Sequence, residues 1–386
     1  EFIRLAAEEN LAATPVAVVT DDRRMKMLFK GRAIVDISRE FLNTNGVKQT
    51  ADAEICDRVT DWFDKKTGTD FVKETKKALS DLNVCAKKGL SETFDSTIGA
   101  RSVYMPFGGK TQLTPAISMA AKICGGETDV CTVSAYGYSP YLMETSPFVG
   151  AIYSIVASVS KVVATGARYE DIRLTLQEFF ERMTSDKKVW GVPASALLGA
   201  VYAQIGLSLG AIGGKDSMSG TFEHIHVPPT LISFALAPAK ASRLISNVLK
   251  GGEKVWRLPV PKDGQYVPDF EKLKAVYREV YKNIANGNIT FATVAENGGA
   301  GAAVVKSALG NGVGFGFVQS ADELYTECYG DLLVSLQDET AFSAEIEKEY
   351  IGIANDSGKF TCGGESVSME EAVNAYLSPL ESVFAT

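Results

Sequence analysis

The stretch Ile212-Gly213-Gly214-Lys215-Asp216-Ser217-Met218-Ser219 follows an apolar run and sets two glycines, a cation and hydroxyls side by side. Those are the parts needed to grip a phosphate. A P-loop is the first reading, and it fails on spacing. The Walker pattern requires Gly-x-x-x-x-Gly-Lys-Ser/Thr, whereas Leu209 stands at the first glycine position and Asp216 follows the lysine directly. Spacing alone leaves phosphate binding and an ordinary glycine turn both open.

Outward from that stretch, glycine and small residues are dense from 93 to 237. Patterning predicts strands at 102–106, 131–138 and 230–236, and long helices at 146–165 and 194–205, which together read as one α/β domain. Gly251-Gly252 then opens a second unit. Its expected order is strand 254–258, helix 270–286, strand 289–294, helix 301–309 and strand 332–336. Upstream, residues 2–9 read as a helix, and 15–19, 25–29 and 33–37 as strands, with a turn at Asp21-Asp22. Residues 43–50 are polar and contain the turn pair Asn45-Gly46, beyond which 51–83 spaces apolar residues helically, so a boundary falls near residue 45. The chain opens at Glu1-Phe2, without methionine and already inside a helical pattern, which reads as a piece cut from a longer protein.

Composition narrows the function classes. With 386 residues, 46% hydrophobic and 22% charged, the chain is long enough for two or three domains with a substantial core, and disorder is a poor reading. The net charge of −8 and the pI near 5.1 supply no field for a phosphate backbone, so no nucleic-acid partner is expected. Six cysteines (Cys56, Cys85, Cys124, Cys131, Cys328, Cys362) form no C-x-x-C pair, and His224 and His226 are the only histidines. No zinc site is expected, and scattered thiols fit a reducing cytosol. The most apolar stretch, 151–167, carries Lys161 and several serines. It falls short of the roughly 20 apolar residues a bilayer needs and reads as a buried helix, with no membrane partner.

Several motifs have modest readings. Gly298-Gly299-Ala300-Gly301 lies between a predicted strand and helix, but Val304 occupies the third glycine position of a dinucleotide fingerprint, so tight packing is preferred over an anion site. Phe94-Asp95-Ser96-Thr97-Ile98-Gly99-Ala100-Arg101 and Met105-Pro106-Phe107-Gly108-Gly109-Lys110-Thr111-Gln112-Leu113-Thr114-Pro115 mix polar residues and glycine within apolar surroundings. Composition alone makes the first a loop with a capping Asp95 and an exposed Arg101. His224 and His226 share one face of a short strand and read as surface residues. No Gly-x-Ser-x-Gly elbow and no Gly-x-Cys-x-Gly context is present, so neither a triad hydrolase nor a glutaminase is indicated.

Together Phe94–Arg101, Met105–Lys110, Ser146-Pro147-Phe148 with Gly150-Ala151, and Ile212–Ser219 resemble one family, phosphoribosylformylglycinamidine synthase, the large amidoligase of purine biosynthesis. The resemblance covers essentially the whole chain. It implies an α/β (α+β) fold: an N-terminal subdomain with a mixed sheet, like that of aminoimidazole ribonucleotide synthetase, and a C-terminal α/β sandwich subdomain. The family's core resembles two fused copies of that unit. This chain looks like the second copy, with 1–45 as the tail of the preceding subdomain, 51–240 as the N-terminal subdomain and 241–386 as the C-terminal one.

The implied reaction turns formylglycinamide ribonucleotide, ATP and glutamine into the amidine, ADP, phosphate and glutamate, in the cytoplasm. Its implied partners are the first synthetase half, a glutaminase domain and a nucleotide substrate, and a pairing face left without its partner would favour self-association. By resemblance, Gly108, Gly109, Lys110, Gly213, Gly214, Lys215 and Ser217 are nucleotide-binding candidates, and Asp95, Arg101 and Asp216 are substrate- or magnesium-facing. No catalytic residue and no metal ligand is assigned. ATP and magnesium belong to the intact enzyme, and none is expected on this chain alone. Where members holding a second nucleotide offer magnesium a glutamate and an asparagine, this chain has Ala157 and Lys161, and Glu92 replaces a lysine. Lys161 is expected to meet a nearby carboxylate, and a shift of one helical turn would instead bring Glu144 or Asp129 forward. Alternative readings are another ATP-using member of the superfamily, such as a selenophosphate synthetase or thiamine-phosphate kinase, and a non-catalytic scaffold half.

Overall fold

The computed structural model describes residues 1–44, 50–56, 61–124, 126–264 and 266–385. The expected Asn45-Gly46 turn lies outside them. The chain forms two units, Glu1–Asp52 and Ala53–Thr386.

In the smaller unit, helix α1 (Phe2–Glu8) precedes an antiparallel hairpin of β1 (Arg24–Phe29) and β2 (Arg32–Ser38), and helix α2 (Arg39–Thr44) closes it. Lys30 and Gly31 turn the hairpin, both with positive φ, as a two-residue loop between right-twisted strands requires. The strand expected at 15–19 is absent. That segment is irregular, and Val16, Val18 and Val19 are exposed; alternating apolar residues make a strand only where a neighbour supplies the ladder.

The larger unit contains two sheets. The first has five strands, β3 (Met119–Lys122), β4 (Val130–Gly137), β5 (Arg173–Phe179), β6 (Ala211–Lys215) and β7 (Thr230–Lys240), in the order β3-β4-β7-β5-β6. All its pairs are antiparallel except β5 with β6. Helix α4 (Pro147–Thr165) lies against one face, and α5 (Lys187–Leu207) packs on α4. The second sheet has seven strands: β8 (Lys254–Leu258), β9 (Ile289–Val294), β10 (Gly314–Phe317), β11 (Leu332–Leu336), β12 (Glu349–Asn355), β13 (Lys359–Cys362) and β14 (Glu365–Ser368), in the order β9-β11-β8-β12-β10-β13-β14. Helices α6 (Phe270–Ala285), α7 (Gly299–Leu309) and α8 (Met369–Glu381) accompany it.

Helix α4 is the centre of the unit. All 19 of its residues are buried, and it touches β4 and β7 of the first sheet and β9 of the second. Ser146 caps it, accepting from Val149 N, and Gly166 ends it in a left-handed conformation, the usual stop for a helix. Its close approaches depend on missing side chains: a Cβ on Gly137 of β4 would come within 2.1 Å of Ser154 O, and one on Gly199 of α5 within 2.1 Å of Phe148 O. The expectation that the apolar stretch at 151–167 falls short of a bilayer span is corrected: by length and composition both α4 and α5 are apolar enough to cross one, and it is complete burial that makes α4 a core helix here, as expected.

Two further expectations are corrected. Among the described residues of 51–83, the helix read there reduces to a short turn at Trp62–Asp64 and helix α3 (Phe71–Ser80). Glu54 instead runs without regular structure along the start of α5, its N–H donating to Lys187 O at 2.9 Å and its carboxylate pairing with Lys187 Nζ at 2.8 Å. The strand read at 102–106 is only an isolated bridge of Ser102 to Ala121; pairing resumes at Phe107–Gly108 against Thr114–Pro115, after Pro106, which has no N–H to give a ladder.

Candidate functional site

The segments nominated from the sequence occupy opposite edges of the five-stranded sheet. The chain that follows Phe94–Arg101 bridges β3 at one edge, and Gly213–Lys215 belongs to β6 at the other. Four inter-strand spacings separate those edges by about 19 Å. A single phosphate cannot touch both segments.

At the first edge Asp95 Oδ1 accepts from Thr97 N at 2.8 Å and from Thr97 Oγ1 at 2.6 Å. These bonds hold its carboxyl below the usual aspartate range, because they favour the ionised form. Gly99 and Ala100 turn with positive φ. Phe94, Ile98 and Arg101 are exposed, and the Arg101 guanidinium has no partner among the described residues. Glu92 is paired with Lys88 one helical turn earlier, so the carboxylate at this position is locally neutralised.

Residues 105–115 form a clasp on the end of α7. Thr114 Oγ1 donates to Lys306 O at 2.8 Å and accepts from Gly310 N at 2.9 Å, and Thr111 N donates to Gly310 O at 2.9 Å. Gly109 has φ +86°, and a Cβ there would meet Gly310 backbone at 2.2 Å; one on Gly108 would meet Val248 at 2.8 Å. The close approach these glycines make is therefore to the protein's own chain. The Lys110 side chain is exposed and unpaired among the described residues.

At the far edge, β6 pairs with β5 through Thr175–Gly213, Leu176–Gly214 and Gln177–Lys215. Gly214 is required by the pairing, since a Cβ would lie 2.4 Å from Leu176 O, whereas the space around Gly213 is open. Lys215 is exposed and has no partner among the described residues. Ser217 N donates to Glu178 O at 3.1 Å, and the Ser217 and Ser219 hydroxyls lie 2.7 Å apart. Burial, with Asp216 beside it, raises the Glu178 carboxyl above its ordinary range. His226 sits on a two-residue ribbon, its Nδ1 2.8 Å from Glu181 Oε2, and His224 is exposed. Among the described residues no three His, Cys, Asp or Glu side chains converge as a metal site would require.

Two features lay beyond sequence reading. Lys161 does meet a carboxylate, and it is Glu296: Nζ to Oε1 is 2.6 Å, with only 3% of the lysine side chain exposed. The same ammonium donates to Tyr136 O at 2.9 Å and lies 4.5 Å from the Tyr136 ring centre. It therefore links β4 of the first sheet to the loop after β9 of the second. At the glycine turn before α7, Gly301 packs under Tyr325, where a Cβ would come within 2.7 Å of the ring, as the packing reading expected. The N–H of Gly298 is met by Glu327 Oε1 at 3.4 Å. Burial pushes that carboxyl up to about 7, and its Oε2 has no hydrogen-bond partner. The protein's own carboxylate thus occupies the helix end.

The outward face of the first sheet is apolar and open. Met119, Val130, Tyr136 and Leu236 are 60%, 45%, 56% and 45% exposed, and cross-strand pairing sets Tyr136 beside Phe234 and Thr175, in a row that ends at Gly213. Contiguous exposed apolar surface of this kind marks an interaction site. Two cavities among the described residues of the larger unit lie elsewhere. One of about 50 Å³ is lined by Tyr104, Gly108, Ser118 and Asn247, and an open crevice of about 600 Å³ by Arg243, Lys250, Asn286 and Thr290. Neither is lined by Lys110 or Lys215.

No protein-family model matches the chain. It is similar to the phosphoribosylformylglycinamidine synthase subunit PurL of Thermoplasma acidophilum, with 22% identity over 96% of this chain and 51% of the relative. The PurL subunit of Methanocaldococcus jannaschii is likewise 22% identical over 88% of this chain and 49% of the relative. The chain spans about half the length of the curated relatives it matches. Among solved structures, PurLQS from Thermotoga maritima superposes with a TM-score of 0.61 at 13% identity, covering 92% of this chain and 52% of that one. PurL from the same organism complexed with AMPPCP gives 0.60 at 15%, covering 92% and 53%. The mixed α/β fold is thus that of a PurL-type synthetase half, as the sequence resemblance implied.

Proposed function

We propose that this chain is the second synthetase half of a phosphoribosylformylglycinamidine synthase, and that it works by pairing its open sheet face with a first half. The observation that carries this is the match to PurL subunits over nearly the whole of this chain and half of each relative. The intact enzyme would convert formylglycinamide ribonucleotide, ATP and ammonia released from glutamine into the amidine, ADP and phosphate. ATP would phosphorylate the amide oxygen, and ammonia would then displace the phosphate. PurL of Thermotoga maritima is solved in complex with ATP, which supports nucleotide use.

On this reading Lys215 and Lys110 are phosphate cations, charge stabilisation at the transferred group being the main catalytic term. The two lysine segments would serve two different sites, in keeping with their places at and beyond opposite sheet edges. The open space at Gly213 supports the Lys215 segment as the one a phosphate approaches, with Ser217 as a further donor. Asp216 and Asp95 would face magnesium or substrate, and Arg101 a substrate anion. A glutaminase domain would supply ammonia, and the cytosol is the compartment that suits the free thiols.

The test is an ADP-release assay with formylglycinamide ribonucleotide, ATP, magnesium and ammonia. Turnover is expected only when a first synthetase half is added, and Lys215→Ala is expected to lower it by about 100-fold. ADP and amidine formed by this chain alone would overturn the half-site reading.

A further inference from the structure

The smaller unit is built like the end of the larger one. In the larger unit Gly358, with positive φ, opens β13, Gly363 and Gly364 turn the hairpin with positive φ, and β14 returns antiparallel. Ser368 then caps α8, its Oγ accepting from Glu371 N at 3.2 Å. In the smaller unit Arg23, with positive φ, opens β1, Lys30 and Gly31 turn with positive φ, and β2 returns antiparallel. Ser38 Oγ accepts from Phe41 N at 3.2 Å at the start of α2. One further bond is shared: Met369 N donates to Gly358 O at 2.9 Å, and Arg39 N to Arg23 O at 2.7 Å. Two-residue hairpins are common, but a first helical N–H that returns to the residue before the hairpin is not a property of hairpins, and both ends have it.

The two copies differ in what covers them. Phe360 and Val367 face each other across β13 and β14 and are fully buried, as is Ala372 of α8. Counted from the turn, Met27 stands where Phe360 does, faces Val35 across the hairpin, and is 46% exposed. Leu42, four residues after its capping serine as Ala372 is after Ser368, is 41% exposed. No described residue of the smaller unit is buried. A hairpin without cover is marginal in water, so this one is made to be covered. The larger unit shows by what. Before its hairpin comes β12, paired on one side with β8 and on the other with β10, and β10 also pairs in parallel with β13. The corresponding place in the smaller unit is held by Pro15-Val16-Ala17-Val18-Val19. Its valines are exposed, and its backbone has no hydrogen bond to a described residue.

We propose that residues 15–19 and the β1–β2 hairpin are the closing strands of a second sheet of this kind, and that the rest of that sheet belongs to a first synthetase half. The proposal rests on the half-synthetase reading above and names a second place, apart from the open sheet face, where the first half is gripped. Residues 15–19 lie between two partner strands and use their N–H and C=O groups on both sides, as β12 does. The free edge of β1 adds in parallel to a partner strand in the role of β10. Main-chain pairing of this kind supplies attachment, and side chains on one face supply the fit. That face carries Met25, Met27, Val35 and Ile37, whereas the opposite one sets Lys26 across from Asp36.

The experiment is hydrogen exchange read by mass spectrometry on the full chain, alone and mixed with a first synthetase half that stops short of these strands. Alone, the amides of 16–19 are expected to exchange as in an open chain and those of β13 and β14 slowly. In the complex the amides of 16–19 and 24–29 are expected to slow by at least about 100-fold. Val18→Pro removes an N–H from a segment that makes no bond within the chain, so the chain's own unfolding midpoint should not move, while the complex weakens by at least about 10-fold. A complex in which 16–19 exchange as in the free chain, or one that Val18→Pro leaves at full strength, would overturn this proposal and leave the half-synthetase reading standing. No complex at all would overturn both. Protection of 16–19 in the chain alone that grows with its concentration would give the place to a second copy and overturn the proposal as well.

Discussion

The two sheets of the larger unit bury their faces differently. In the seven-stranded sheet alternate residues go to two cores: Trp256, Leu258, Ala292, Val294 and Val334 join the cluster around α4, while Val255, Phe291, Leu333 and Phe315 join the one around α7 and α8. Over β9, β11 and β8 both faces are covered. In the five-stranded sheet Val133, Ala135, Leu231 and Ala235 face the α4 cluster, whereas Tyr136 and Leu236 of the same strands point to the open side. A sheet with one apolar face uncovered is a surface prepared for another protein. The closed sheet gives the unit its stability, and the open one carries the edge on which Gly213 and Lys215 sit.

The contrast can be broken first at the tie between the sheets. Lys161→Ala or Glu296→Ala leaves one charge without its partner and is expected to cost about 3 kcal/mol in denaturant unfolding. The double replacement Lys161→Met with Glu296→Leu should recover most of that. Additive losses would show that the pair does not link the sheets.

The closed side also predicts a pH response. Glu327 titrates at about 7 in the folded protein against roughly 4.3 in the unfolded chain. The folded state therefore holds its proton longer, and this group's contribution to stability falls as pH rises from about 4 to about 7. Glu327→Gln should flatten that part of the profile and be more stable than the parent at pH 8, by about 2 kcal/mol. Equal stabilities at pH 8 would show that the carboxyl is not desolvated.

A smaller effect sharpens the reading of the open edge. Gly214→Ala is expected to lose about 1 kcal/mol, because its Cβ must push on Leu176 O, whereas Gly213→Ala, with open space, should stay within about 0.5 kcal/mol. If both lose stability alike, Gly213 is a packing glycine and its place as a phosphate approach is lost.

How much of this was legible in the sequence follows from the same contrast. The strands Lys254–Leu258, Ile289–Val294 and Leu332–Leu336 were readable to the residue, because strands covered on both faces are short apolar runs bounded by turns. Strand Arg173–Phe179 and the three C-terminal strands were passed over, since half-exposed alternation is a weaker signal. Residues 15–19 show the opposite error: an apolar pattern without a neighbour is not a strand. At the candidate site the glycine–lysine motifs were legible as motifs, but not their separation, which depends on strand order. Lys161 was singled out, yet Glu296 lies far along the chain, and no local spacing connects them. Glu327 carried no signal at all, because a carboxylate beside a cysteine and a tyrosine looks ordinary until burial is known.

The open face itself is best tested by sedimentation velocity of the chain with a first synthetase half. The account predicts a one-to-one complex that Leu236→Glu abolishes, while the unfolding free energy of that variant stays within about 0.5 kcal/mol of the parent. A complex that forms unchanged with Leu236→Glu, or two halves that sediment independently, would contradict it.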